Sequence, residues 1–214
     1  MKRLFEKKIR TLLIAAAMAL PAAAHATNIV VPPVPDAVKV TATEGVVFFV
    51  GHATGTQNYV CLPTATGFGF VLFTPEATLF NDDGDQQLIT HYFSPNPFEH
   101  NTNPALSAIG PIRATWQHSR DGSFVWAAVN AGNASTDANF VDSNAIAWLK
   151  VTAKGTQDGP DGGDILSKTV FIQRLNTHGG LAPADRCTSQ ADVGHLAFVP
   201  YTADYFFYQK PDAN

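Results

Sequence analysis

Val170–Cys187, VFIQRLNTHGGLAPADRC, carries an apolar run that stops at Arg174, passes through Asn176, Thr177, Gly179 and Gly180, and ends at the second of only two cysteines. β-Branched and aromatic residues suit a pleated, half-buried surface. A glycine pair supplies the backbone freedom of a tight turn. The stretch reads as a strand that leaves a packed core, turns on its glycines and is stapled back to the N-terminal part of the domain. A buried arginine near a strand end needs a carboxylate or carbonyl oxygens. Pairing with Asp204 is the expected solution, which would make this corner a polar clasp rather than a reactive site.

The other cysteine is Cys61. In an oxidising compartment an even pair reads as one disulfide; two free thiols or a metal pair are the competing readings, and no CxxC spacing supports them. The N-terminus points to that compartment. Lys2, Arg3, Lys7, Lys8 and Arg10 make a basic start, Thr11–Leu20 is a short apolar core, and Ala24-His25-Ala26 follows Pro21. This is the grammar of a cleaved secretory signal over residues 1–26; ten apolar residues fall short of the roughly 20 that a spanning helix needs. Residues 27–214 then form one domain of ordinary size. They hold nine Lys/Arg against 17 Asp/Glu, a net charge of −8 with histidine neutral, compared with −4 for the whole chain. So acidic a surface argues against nucleic acid and against anionic membrane. The expected product is periplasmic or secreted, with no membrane insertion after signal cleavage.

Beyond a proline-spaced lead-in (Pro32, Pro33, Pro35), about eleven short segments rich in Val, Phe, Tyr, Thr and Trp are bounded by Gly, Asn, Asp or Pro. Ile112–Gln117 is the clearest: Ile112, Ala114 and Trp116 alternate with Arg113, Thr115 and Gln117, the period of a half-buried strand. Asn81-Asp82-Asp83-Gly84 and Arg120-Asp121-Gly122 are hairpin turn signals. Residues 94–111, with four prolines, form a long irregular loop. No window of 12 or more residues shows a helical apolar period. The expected fold is all-β: an antiparallel β-sandwich or barrel-like single domain with long loops, little helix and one disulfide.

The ordered motifs HYFSPNPFE, IRATWQHSRDGS, AIAWL, FIQRLNTHGG-APADRC and VPYTADYFFY resemble the secreted family called domain of unknown function 3455, over roughly Pro32 to Tyr208. The resemblance implies an exported, mostly β, single-domain protein and brings no assigned activity.

Function is read from side chains that turns and core packing do not obviously absorb. Aromatic faces beside fixed polar groups suit a glycan or a small amphipathic ligand. The candidates for such a site are His91, Trp116, Asp121, Arg174, Asn176, Thr177, Tyr201 and Asp204. Alternation puts Asp204 and Phe206 on one face of the last strand and Tyr205 and Phe207 on the other, which would leave one aromatic row outside the core. No metal or other cofactor is expected. His91 and His118 flank one loop and are the weak candidates for a ligand pair, but no HxH or HExxH spacing occurs. The Asn/Asp groups at 81–85 and 158–164 read as turn chemistry rather than a calcium loop. No GxSxG elbow exists. The leading expectation is a non-catalytic ligand-binding or surface-interaction domain. The alternatives are a metal-dependent or carboxylate-based enzyme acting on an envelope or extracellular molecule, with Asp121 and Asp204 as its carboxylates, and a structural envelope component.

Overall fold

The computed structural model of the chain describes residues 29–102 and 109–212; the signal-like segment 1–26 lies outside them. Eight antiparallel strands close into an up-and-down barrel, β1 (Val46–Thr64), β2 (Gly67–Phe80), β3 (Gln87–Pro95), β4 (Ile112–His118), β5 (Phe124–Ser135), β6 (Trp148–Gln157), β7 (Thr169–Gly179) and β8 (Leu196–Gln209). Each strand pairs with its sequence neighbour, and β1 closes the ring on β8. No α-helix occurs among the described residues, and none of the helical turns is long and apolar enough to cross a membrane.

The barrel-like alternative is therefore the fold, not the sandwich, and eight strands replace eleven. The difference comes from glycines and prolines that lie within strands. Gly51 and Gly55 sit inside β1, where an added Cβ would meet Leu79 and the backbone at Ala77; they permit close approach of β1 to β2 rather than turns. In the same way Phe68–Phe73 and Ala77–Phe80 are parts of β2, and Leu196–Tyr201 and Ala203–Tyr208 are parts of β8. The hairpin signals hold where φ is positive: Gly84 (+74°) and Gly122 (+72°) close the β2–β3 and β4–β5 turns, with Gly84 N–H donating to Asn81 O and Gly122 N–H to His118 O.

Strand alternation sorts side chains into a lumen and an outer wall. Leu79, Ile89, Val125, Ile172 and Phe207 fill the lower lumen with Leu166. Leu166 is carried by the β6–β7 connection, which the carboxylate of Asp121 and the hydroxyl of Ser123 pin in place by accepting the N–H groups of Ile165 (2.8 Å) and Leu166 (2.9 Å). That end is closed. A second cluster lies outside the wall, where the lead-in, with Val31, Val34, Val38 and Val40, covers Leu175, Phe206, Tyr208 and Trp148. Gln173 Nε2 donates to Val38 O (2.6 Å), and Lys150 Nζ donates to Lys39 O (3.0 Å) and Glu44 (2.6 Å). Both faces of β7 over Val170–Leu175 and of β8 over Tyr205–Tyr208 are thus covered, whereas Leu196 and Phe198 at the start of β8 are exposed. Neither aromatic row of the last strand lies outside the core, against the expectation that one would: Tyr205 and Phe207 face the lumen, and Phe206 and Tyr208, on the outer wall, are 4–5% exposed.

Cys61 and Cys187 form the disulfide, Cα–Cα 5.5 Å. It ties the β7–β8 connection to β1 at the end opposite the Leu166 plug, reinforced by Cys61 N–H donating to His195 O and Gly194 N–H to Cys61 O, each 2.9 Å.

Candidate functional site: the upper barrel lumen

The upper lumen is not filled. Small residues, Ala114 on β4 and Ala127 on β5, occupy inward positions where the lower layer has Val125, Ile89 and Phe207. They leave a cavity of about 360 Å³ that opens between Leu72, Ile112 and Val129 at the rim. These three are 45–53% exposed. The walls are apolar, with a small polar group made by Gln57, His91, Arg174 and Tyr205.

His91 stacks on Trp116, ring centroids 4.2 Å apart and planes 9° from parallel. It lies 5.3 Å from the Tyr205 ring. Its Nδ1–H donates to Thr115 O (2.9 Å). Complete burial pushes its pKa down to about 3, so the imidazole is neutral. Burial also raises Tyr205, a neutral phenol whose hydroxyl is 3.2 Å from that of Tyr201. Two buried polar atoms on this wall, Gln57 Oε1 and Trp116 Nε1–H, have no hydrogen-bond partner. Such atoms cost roughly 1–3 kcal/mol each unless something satisfies them.

Arg174 is the only charged group on the wall without a carboxylate. It points inward from β7, as Ile172 does, while Gln173 and Leu175 point outward. Its Nε and Nη2 both donate to Ala147 O, at 3.3 and 2.8 Å. The expected Arg174–Asp204 pair does not form, because alternation on β8 sends Asp204 to the outer wall, where it meets His52 Nδ1 (2.6 Å) and Asn176 Nδ2 (2.7 Å). The second cation at the rim, Arg113, is held by Glu99 through two bonds of 2.7 and 2.9 Å, which lower the Glu99 carboxyl to about 2.

Of the eight candidate ligand residues, His91, Trp116 and Arg174 meet in this cavity, and Tyr201 adjoins it through Tyr205. Asp121 is at the closed end: burial opposes its ionisation, but the Ile165 and Ser123 donors outweigh it and hold its carboxyl below the usual range. Asn176 and Asp204 belong to the outer-wall cluster with His52. Thr177 donates its hydroxyl to Ile146 O (2.6 Å) and fastens β7 to the segment before β6. Asp121 and Asp204, the carboxylate pair considered for acid–base work, thus sit on different parts of the barrel. His118 pairs with Asp121 (3.0 Å) and His91 bonds to Thr115 O, and no group of three or more metal-binding side chains occurs among the described residues. Sequence reasoning missed Gln57 and the two alanines. Ala114 was within reach, since it shares a strand face with Ile112 and Trp116.

A family model described as a protein of unknown function, DUF3455, matches residues 41–209. The chain belongs to the DUF3455 family. The matched span takes in all eight strands of this DUF3455 member and both cysteines. No match was found among curated proteins or among solved structures.

Proposed function

We propose that this DUF3455 protein is an exported, non-catalytic binding protein that takes one small, partly apolar molecule into the upper half of its barrel. The observation that carries the reading is the cavity itself: apolar walls, one open rim, and polar atoms left unpaired inside. Eight-stranded barrels are just wide enough to hold one small ligand, and pockets that combine apolar walls with a few fixed polar groups are the usual form of a small-molecule site. Export is supported by the signal-like N-terminus and by a disulfide, which persists in oxidising compartments.

The test is binding of the neutral fluorophore N-phenyl-1-naphthylamine to the purified protein. Saturable binding at one site per chain is expected, weakened at least tenfold by Ala127→Leu, which fills the lumen. Circular dichroism checks that the variant still folds, since overpacking costs roughly 1–3 kcal/mol. Absence of saturable binding, or binding indifferent to Ala127→Leu in a folded variant, would refute the reading.

A further inference from the structure

We propose that the molecule bound in the lumen is a small carboxylate, its head on Arg174 and its apolar body against the His91–Trp116 stack. The inference rests on the binding function proposed above and names its ligand class. Arg174 carries a permanent charge on a largely apolar wall, and no Asp or Glu lines the cavity. Arg174 is part-buried, and a charge partly withdrawn from water favours a counter-ion beside it. The guanidinium is also oriented for one. Nε and the adjacent Nη2–H are both spent on Ala147 O, which fixes the plane, and the Tyr205 hydroxyl also meets the guanidinium; no carboxylate meets its terminal edge, Nη1 and the second Nη2–H. That edge matches the two oxygens of a carboxylate, the geometry in which arginine binds most strongly.

The charge count limits the head group. Arg113 is neutralised by Glu99, and His91 is neutral, so a single positive charge faces the lumen. A singly charged anion balances it, whereas a dianionic phosphate would leave one charge uncompensated. The cavity limits the body. At about 360 Å³ it lies near the lower end of the roughly 300–1,000 Å³ range of ligand sites, which suits one ring or a short chain. Trp116 Nε1–H and Gln57 Oε1 remain to meet a further polar group on that body.

The test compares 4-phenylbutyrate with 4-phenylbutanol, which share the body and differ in the head, as competitors of N-phenyl-1-naphthylamine. The acid is expected to displace the fluorophore at a concentration 10- to 100-fold lower than the alcohol. In Arg174→Gln this preference should fall to within about twofold, and Arg174→Lys should retain part of it. The comparison in the unaltered protein needs no variant to fold. Equal competition by acid and alcohol, or a preference unchanged in Arg174→Gln, would overturn the carboxylate inference while leaving the cavity reading intact. Failure of the fluorophore and of both competitors to bind would overturn both.

Discussion

Burial keeps His91 neutral, which makes the folded state sensitive to acid. Burial holds its folded pKa at about 3, below the ordinary histidine value of 6.5, so the folded state takes up this proton less readily than the unfolded chain. A depressed pKa gives stability that is complete above pH 6.5 and is lost as pH falls towards 3. At about 1.4 kcal/mol per unit the full loss is on the order of 5 kcal/mol. The expected outcome is that the denaturation midpoint, measured in urea, falls steeply between pH 6 and 3.5, and that the slope is much smaller in His91→Phe. A slope unchanged in that variant would place the acid sensitivity elsewhere. His91 was recognisable in the sequence as a residue that turn chemistry did not absorb. Its neutral state was not, because that follows from burial against Trp116, a contact made across the β3–β4 pair.

Among the elements, β7 and β8 show how a strand end is tied without the expected ion pair. A register shift between Leu175 and His178 leaves Asn176 at φ +49°. This turns its amide to Asp204, which lies directly opposite His52 across β1 and β8. Burial lowers the His52 pKa, but the Asp204 and Asp82 carboxylates outweigh it and raise it above 6.5. Here the sign is opposite to that of His91: the contribution is complete below pH 6.5 and fades as pH rises through the folded pKa. Because His52 is 42% exposed, the effect should be no more than about 1 kcal/mol. Histidine chemical shifts in NMR titration should show His52 titrating above its value in Asp204→Asn. At the closed end, Asp121→Ala removes the acceptor of Ile165 N–H, Ser123 N–H and the Ser123 hydroxyl. A loss of about 2–4 kcal/mol is expected in chemical denaturation, with faster amide exchange at Ile165 and Leu166. The turns at 84 and 122 were legible because glycine and Asp/Asn act locally. The merging of short segments into long strands was not legible, since Gly51 and Gly55 look like turn residues until β2 lies against them.

At the level of the whole molecule, the disulfide joins residues 126 positions apart in sequence, and the cysteine count and the signal-like N-terminus together pointed to it. A loop that long corresponds to roughly 4–5 kcal/mol in the chain-entropy account, of which 2–5 is usual for a native bridge. Cys61→Ser/Cys187→Ser should therefore lower Tm by about 5–15 °C, read by calorimetry. It should leave the upper lumen able to bind N-phenyl-1-naphthylamine at temperatures where the variant is folded. A fall of less than about 2 °C would mean that the backbone bonds from Cys61 to the 194–195 turn already hold the barrel top. The two clusters of buried side chains explain why a chain with one sheet nevertheless covers both faces of β7 and of the second half of β8. The lead-in supplies the second layer that a sandwich would have taken from another sheet.

Composition and local pattern were enough to give the class of the protein: all-β, antiparallel, a single sulfur bridge, and a resemblance carried by five ordered motifs. Those properties follow from local periodicity, turn chemistry and composition, each readable within a few residues. Tertiary structure decided that the sheet closes on itself, that Arg174 faces an acid-free lumen while Asp204 faces outward, and that two alanines leave room above a filled layer. Each of these depends on the register between strands far apart in the chain. A shift of one residue would exchange lumen for outer wall, and no local pattern at Arg174 records which way it faces.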